Sequence, residues 1–160
     1  MLRETNRDTG MIEIIRADPS HLDLVAPLFD AYRQFYEQPA DLTKARNFIE
    51  VRLKNDDSVI FLALDPDGAA IGFTQLFPSF CSVAAKNVWS LEDLFVSPRA
   101  RRTGAARALM NRAKQLGDET GAAWLRLQTA VTNIPGQTLY ESQGWDRDTE
   151  FYTYFLSLDD

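Results

Sequence analysis

Short apolar runs along the chain alternate with longer segments in which apolar residues recur every three or four positions. The short runs predict strands at residues 12–17, 58–64, 69–77, 88–96, 123–130 and 151–158. The helical spacing predicts helices at residues 19–38, 42–53, 106–117 and 135–143. Residues 78–87 have no periodicity and predict a loop. This order predicts an α/β fold whose mixed sheet combines a hairpin meander with strand-helix-strand crossovers.

Size and charge limit the classes of protein to which the chain can belong. Its 160 residues, 45% of them hydrophobic, suit one globular domain, and we expect a flexible leader at 1–10 and a single domain at 11–160. The net charge of −6 disfavours nucleic acid and anionic membranes as partners and suits a cationic or neutral substrate. No apolar run could span a bilayer and no signal-peptide core is present, so we expect a cytoplasmic protein.

Two residue types with possible chemistry occur only once each. Cys81 cannot form an internal disulfide and has no companions for a zinc site. His21 stands in the first turn of a predicted helix, where a histidine is normally solvated. We therefore expect neither a metal site nor a Ser-His-Asp hydrolase.

A basic segment interrupts this acidic chain between the fourth predicted strand and the third predicted helix. In SPRARRTGAARALM (Ser97–Met110), three arginines precede Gly104 and two alanines. A helix N-terminus exposes unpaired N–H groups, glycine lets a ligand approach the backbone, and arginine binds phosphate oxygens through paired hydrogen bonds. The segment predicts a phosphate or pyrophosphate cradle. The alternative is a cluster of solvated arginines before an ordinary helix.

Two motifs resemble those of the GCN5-related N-acetyltransferase (GNAT) family. Arg101-x-x-Gly104-x-Ala106 resembles the family's Q/R-x-x-G-x-G/A signature, and NIPGQTLYESQGW (Asn133–Trp145) resembles its second motif. The resemblance covers nearly the whole chain and implies a mixed, mostly antiparallel sheet of about 6–7 strands flanked by about four helices. It also implies acetyl-CoA as cosubstrate and no metal. LEDLFV and NIPGQTLY are most similar to the diamine (spermidine/spermine) acetyltransferase branch.

The resemblance also implies which residues hold the cosubstrate. The pantetheine arm would pair with the strand at Leu94, Phe95 and Val96. The pyrophosphate would bind the turn made of Arg101, Arg102, Thr103, Gly104, Ala105, Ala106 and Arg107, and Asn133 and Gly136 of the second motif would add contacts. Arg102 stands where many family members have glycine. We expect a right-handed backbone there, with the loop held farther from the phosphates.

The chemistry of amine acetylation selects Glu92 and Asp93 as candidate bases. A primary alkylamine is almost entirely protonated at pH 7, so a carboxylate has to attract the cation and take its proton. The two residues are adjacent in a strand, so we expect their side chains to point to opposite faces and only one to reach the site. The resemblance favours Glu92. The alternative for each is a cross-strand salt bridge or a surface carboxylate.

Tyrosines complete the predicted site. Tyr140 follows Asn133 by seven residues, so the two lie near one helical face, and the matching tyrosine of the family protonates the departing thiolate. The alternative is that the Tyr140 ring packs under the sheet. Tyr32 and Tyr36 are candidates to contact the substrate amine through cation–π interaction, or are ordinary core residues.

These features predict an acetyl-CoA-dependent N-acetyltransferase that transfers acetyl directly to a primary amine of a small molecule, such as a polyamine, a diamine or an amino acid. Two alternatives stay open, namely acetylation of a protein or peptide amine and a non-catalytic acyl-CoA-binding module. The resemblance implies a homodimer, with the predicted strand at 151–158 available for its interface.

Overall fold

The computed structural model describes residues 11–159, which divide into two compact units, residues 11–127 and 128–159. The predicted leader at 1–10 lies outside the described residues. The first unit contains β1 (Glu13–Arg16), α1 (Leu22–Phe35), α2 (Leu42–Asn55), β2 (Val59–Leu64), β3 (Ala70–Cys81), β4 (Lys86–Val96), α3 (Ala105–Glu119) and β5 (Leu125–Arg126). The second unit contains α4 (Ile134–Ser142).

The five strands form one sheet in the order β1-β2-β3-β4-β5. The first four pair antiparallel with their neighbours, and β5 joins β4 in parallel. This mixed, mostly antiparallel sheet with four helices is the α/β architecture that the sequence predicts. The described part of the chain has five strands, however, and not the expected 6–7. No helix within residues 11–159 is long and apolar enough to cross a membrane.

The predicted closing strand at 151–158 is wrong, because these residues have no regular secondary structure. Its six large apolar side chains are exposed, from 79% in Phe151 to 89% in Tyr152. An apolar run becomes a strand only where its N–H and C=O groups pair with a neighbouring strand, and composition alone does not provide that neighbour. The predicted strand at 123–130 is likewise reduced to the two residues of β5.

The predicted loop at 78–87 is also wrong, because most of it belongs to a hairpin. β3 continues to Cys81 and β4 begins at Lys86, so that only residues 82–85 form the turn. Backbone pairing extends this hairpin although several of its side chains are exposed, which is why the segment shows no apolar periodicity.

Helices cover both faces of the sheet in the first unit. On one face α1 and α2 pack over Ile60, Leu62 and Phe73, which are at most 1% exposed. On the other face the guanidinium of Arg112 in α3 lies 4.5 Å from the ring centre of Phe61. The sheet is therefore covered on both faces. Side chains at its end or at its open edge are supported by a packed core.

A buried carboxylate fastens the loop between α1 and α2. Asp30 is 8% exposed and accepts hydrogen bonds from the backbone N–H of Asp41 at 2.9 Å and from Gln34 Nε2 at 3.0 Å. Asp41 in turn caps α2 by accepting the Lys44 N–H at 2.9 Å. These bonds fix the C-terminal end of α1, where Tyr36 lies.

Candidate active site

The turn between β4 and α3 has the form expected of an anion cradle. A 3-10 turn at Pro98–Ala100 follows β4, and α3 begins at Ala105 with Gly104 as its N-cap. Gly104 has a φ of 89°, a left-handed conformation that favours glycine, and it supplies no capping side chain. The positive end of the 15-residue helix α3 therefore faces an open turn, which favours an anion.

Side chains of this turn form hydrogen bonds with the end of β4 and with the backbone of the turn itself. Arg101 Nε donates to the Val96 carbonyl at 3.4 Å, and Thr103 Oγ1 donates to the Ala100 carbonyl at 2.7 Å. Small residues begin the helix, where Ala105 is 2% exposed and packs inward. Arg101, Arg102, Thr103 and Gly104 of the turn are exposed; in the first turn of α3, Arg107 is exposed and Ala106 is half-buried. The basic residues predicted to hold a pyrophosphate thus lie on the surface, in this turn and at the start of α3.

Arg102 adopts a backbone conformation that its residue type disfavours. Its φ is 63°, so the expectation of a right-handed backbone at this position is wrong. An L-residue with a side chain loses about 1–2 kcal/mol in the left-handed region, and glycine avoids that loss. The geometry of the turn imposes this conformation on Arg102, which explains why the motif it resembles commonly has glycine there.

We expect Arg102→Gly to raise the free energy of unfolding by up to about 1 kcal/mol, because relief of the left-handed strain exceeds the extra backbone entropy of glycine. Urea unfolding measures the change. Arg99→Gly is the matched control, since Arg99 is exposed, lies three residues earlier and has no positive φ. The control should lose stability, and equal losses in both variants would contradict the assignment of strain to Arg102.

The part of β4 that leads into the cradle is paired on one side only. β5 pairs with β4 at Trp89 and Ser90, so beyond Ser90 the described ladder of β4 runs to β3 alone. Every second N–H and C=O group of such an edge points away from the partner strand and can bind an extended ligand as an added strand. The residues on this open edge are Leu94, Phe95 and Val96, opposite Thr74, Phe73 and Gly72.

A β-bulge lies in β4 just before this open edge. Asp93 is opposite Gln75 and Leu91 is opposite Leu76, which leaves Glu92 without a cross-strand partner. One extra residue in a strand bends it and increases its local twist. The divergence of β4 from β5 thus begins close to an irregularity in β4 itself.

The bulge also brings the two candidate carboxylates to one face of the sheet. Ser90 lies opposite Phe77 and Asp93 opposite Gln75, so Ser90 and Asp93 share a face although three positions separate them. Ser90 Oγ donates to Glu92 Oε1 at 2.5 Å. The expectation that Glu92 and Asp93 point to opposite faces is therefore wrong, because it assumed a regular strand.

Asp93 is the more enclosed of the two carboxylates, and Glu92 is exposed. Gln75 Nε2 donates to Asp93 Oδ2 at 2.7 Å. Burial raises the pKa of Asp93 above its usual range, hydrogen bonds from Gln75 and Tyr32 oppose the rise, and the charge of Glu92 adds to it. A carboxylate with a raised pKa is a stronger base towards an ammonium group.

Tyr32 reaches from α1 to both carboxylate residues. Its hydroxyl donates to the Glu92 carbonyl at 3.2 Å and has the Asp93 side chain as a second partner. Burial raises the pKa of Tyr32 well above its ordinary value, and the charge of Asp93 adds to the effect. The ring centre of Tyr36, which is 50% exposed, lies 5.1 Å from that of Tyr32. The structure thus brings Tyr32, Tyr36, Glu92 and Asp93 together, and their role towards a substrate stays a prediction.

The second unit organises its predicted residues around the start of α4. Asn133 Oδ1 accepts the Gly136 N–H at 3.2 Å, and Asn133 Nδ2 donates to Thr129 Oγ1 at 2.9 Å. A Cβ at Gly136 would lie 2.5 Å from Asn133 Nδ2, so glycine leaves room for this cap. Tyr140 lies further along α4 with its ring centre 6.5 Å from that of Trp145. The roles of Asn133, Gly136 and Tyr140 towards a cosubstrate stay predictions.

Sequence reasoning missed the polar residues beneath the carboxylates. Gln75 and Thr74 are fully buried in β3, and Ser58 is 8% exposed. The available signal was the pair of polar residues in the middle of the apolar run AIGFTQLF. A cavity of about 240 Å³, lined by Arg16, Ser58 and Trp89 among others, contains none of the site residues predicted from the sequence.

Comparison with known proteins agrees with the fold and identifies the family. The model of the acetyltransferase (GNAT) family matches residues 23–145. The uncharacterized N-acetyltransferase YhfO of Bacillus subtilis (strain 168) is 44% identical over 147 residues, which are 92% of this chain and 98% of YhfO. A crystal structure of a probable acetyltransferase is also 44% identical, with a TM-score of 0.88 over 92% of this chain and 99% of that one.

A more distant solved structure shares the fold. AAC(6′)-Iy, in complex with the bisubstrate analogue CoA-S-monomethyl-acetylneamine, is 22% identical with a TM-score of 0.76 over 92% of this chain and 98% of its own. The family match spans most of the chain, and the identity to YhfO extends over nearly all of both proteins. The chain therefore belongs to the acetyltransferase (GNAT) family and is an N-acetyltransferase.

Proposed function

We propose that this enzyme transfers acetyl from acetyl-CoA directly to a primary amine of a small molecule, such as a polyamine, a diamine or an amino acid. The observation that carries the proposal is the course of β4. This one strand holds Asp93 and Glu92, continues as the open edge 94–96, and leads into the arginine–glycine turn at the start of α3. The sites proposed for an ammonium group, an extended arm and a diphosphate thus follow one another along the chain.

The cosubstrate fits the chemistry of these residues. The N-terminus of α3, with Arg101, Arg102 and Arg107 exposed beside it, suits the pyrophosphate. The open edge of β4 suits the amide groups of the pantetheine arm, and an N–H of the same edge suits the oxyanion that develops at the thioester carbonyl. By the motif resemblance, Asn133 and Gly136 contribute to cosubstrate binding, and Tyr140 is the acid that protonates the departing thiolate.

The amine is proposed to bind among Tyr32, Tyr36, Glu92 and Asp93. Two carboxylates attract an alkylammonium ion, and an aromatic face stabilises it through cation–π contact. Tyr36 and Phe35 at the end of α1 are half-exposed or more, so they offer such faces at the surface. AAC(6′)-Iy, whose bisubstrate ligand joins CoA to acetylneamine, supports a small amine as acceptor. The looser resemblance to the diamine branch favours a polyamine or a diamine.

The test is release of free thiol from acetyl-CoA in the presence of a panel of polyamines, diamines, amino acids, aminoglycosides and lysine-containing peptides. We expect amine-dependent thiol release with at least one small amine and none with the peptides. Release with peptides alone would favour a protein or peptide acetyltransferase. Calorimetric binding of acetyl-CoA without release for any amine would favour a non-catalytic binding module. Sedimentation of the same sample tests the homodimer implied by the family resemblance.

A further inference from the structure

A buried glutamine connects the core of the sheet to the candidate carboxylate. Gln75 in β3 is fully buried. Its Nε2 donates to Asp93 Oδ2 at 2.7 Å, and its Oε1 accepts a hydrogen bond from Ser58 Oγ at 2.8 Å. Both ends of the amide are therefore bonded, and the side chain can take only one orientation. These hydrogen bonds link Ser58, the residue directly before β2, through Gln75 in β3 to Asp93 in β4, on the face covered by α1 and α2.

Gln75 is a polar residue in largely apolar surroundings. The neighbours of Gln75 on its face, Phe73 in β3 and Ile60 in β2, are apolar and at most 1% exposed. Burying an amide costs about 1–3 kcal/mol unless its hydrogen bonds are made, and replacing hydrogen-bonded partners together by apolar groups of the same shape can be nearly neutral. A paired glutamine contributes orientation instead, since it fixes the carboxylate to which it donates.

Asp93 is restrained from each neighbouring element. Thr74 Oγ1 donates to the Asp93 carbonyl at 2.8 Å, which fixes its main chain. The titratable groups that face its carboxylate are Tyr32 from α1 and Glu92 from β4 itself, and β3 contributes the neutral Gln75. Glu92 is exposed, and its carboxylate accepts a hydrogen bond from the hydroxyl of Ser90, a residue of its own strand. Of the two carboxylates, Asp93 is thus the one whose orientation is set in advance from neighbouring elements.

We propose that Gln75, braced by Ser58, is a positioning residue that holds Asp93 as the carboxylate accepting the proton of the substrate amine. This inference rests on the proposed function, which does not say whether Glu92 or Asp93 is the base, and it decides between them. It assigns the base to Asp93, whereas the family resemblance favours Glu92.

The proposed step balances in protons and electrons. Asp93 takes one proton from the substrate ammonium group, and the freed lone pair on nitrogen forms the C–N bond to the thioester carbonyl carbon. The C–S bond breaks with its electron pair on sulfur, the nitrogen loses a second proton, and the thiolate gains one. The net reaction converts an ammonium ion and acetyl-CoA into an amide, free CoA and one proton, which Asp93 passes to solvent.

The hydrogen bond from Gln75 to Asp93 has a defined effect on the pH dependence of the proposed reaction. It lowers the pKa of Asp93 against the larger, opposite effect of burial. Without it the pKa rises further, so a higher pH is needed to ionise the base. Ser58→Ala/Gln75→Leu replaces the polar pair by apolar residues and leaves no unpaired hydroxyl, so this double variant should fold.

In Ser58→Ala/Gln75→Leu we expect the acid limb of the plot of kcat/KM against pH to move to higher pH. At a given pH on that limb, kcat/KM should fall about 3- to 10-fold, which is the equivalent of one hydrogen bond. The loss should shrink at high pH, where Asp93 is ionised in both proteins. Thr74→Val is the matched control, because Thr74 is also a buried β3 residue bonded to Asp93, but at its main chain. An unmoved acid limb in the double variant, or an equal move in Thr74→Val, would overturn the positioning role.

A second pair of variants tests which carboxylate is the base. Asp93→Asn should lower kcat/KM by about 100-fold and remove the acid limb, whereas Glu92→Gln should keep the limb. Retention of the limb in Asp93→Asn would overturn the assignment. The thiol assay of the wild type comes first. Absence of any acetyl transfer there would contradict the proposed function. Acetyl transfer whose pH profile is unaltered in the variants would contradict this inference alone.

Thermal unfolding of Asp93→Asn gives a readout that needs no activity. The folded-state pKa of Asp93 is raised, so its contribution to stability is complete below the ordinary aspartate pKa and is lost as pH rises through the folded-state value. Asparagine does not titrate. The Tm of the variant minus that of the wild type should therefore increase from acid to neutral pH, and a decrease would contradict the enclosed carboxylate.

Discussion

Replacement of Tyr140 by phenylalanine should lower kcat about 10- to 1,000-fold while leaving the affinity for acetyl-CoA nearly unchanged, as expected for loss of a general acid. The thiolate of CoA would then leave without a positioned proton donor. The substitution removes only the hydroxyl, and the ring that lies 6.5 Å from Trp145 is retained. Turnover is measured by thiol release and affinity by calorimetry.

Tyr154→Phe is the control for this prediction. It makes the same chemical change in the same unit, at a side chain that is 89% exposed. The control should keep wild-type turnover. If Tyr140→Phe does so as well, the acid is another group and the role taken from the motif resemblance is lost. If Tyr140→Phe instead loses acetyl-CoA affinity, Tyr140 binds the cosubstrate and does not act in proton transfer.

Gly104→Val should raise the Kd for acetyl-CoA about 10- to 100-fold, or about 1.4–2.7 kcal/mol. A Cβ at this position would meet no atom within 4 Å, so the effect does not come from a clash inside the protein. It comes from the φ of 89°, which a β-branched residue strongly disfavours, and from a side chain placed where a phosphate would approach the backbone. Calorimetry with acetyl-CoA measures the affinity.

Gly68→Val separates backbone strain from loss of the cradle. Gly68 has a φ of 81°, would also carry a Cβ into open space, and lies in the turn between β2 and β3. Both variants should lose stability through their strained backbone, and only Gly104→Val should lose affinity. Equal affinity of Gly104→Val and wild type would show that the turn does not bind the diphosphate.

The order of elements as far as α4, and the position of the arginine–glycine turn between a strand and a helix, were predictable because local signals determine both. Asp18 before Pro19 predicts the start of the first helical segment, and Asp18 does accept the Ser20 N–H there at 2.8 Å. The arginine–glycine turn was identified from residue types that bind anions in any fold, once a strand before it and a helix after it were predicted. Gly104 as the N-cap of α3 confirms that setting.

The arrangement of the carboxylates was not predictable from local pattern. Alternation along a strand holds only while every residue has a cross-strand partner, and Glu92 has none. A bulge depends on the register between two strands, and the sequence of either strand alone does not show that register. The left-handed backbone of Arg102 has a similar origin, since the closure of the whole turn determines it and arginine itself disfavours it. Strand formation at residues 151–158 also depends on pairing. Their apolar composition predicts a strand, but the segment has no regular secondary structure.

The unpartnered residue in β4 has a consequence for how this chain tolerates insertions and deletions. Leu91 and Asp93 already face consecutive positions of β3, Leu76 and Gln75. A shorter chain without Glu92 would keep all of these pairings in an uninterrupted ladder. Strand pairing therefore gives no reason to retain the additional residue, and what Glu92 adds to the strand is a local bend and its own carboxylate.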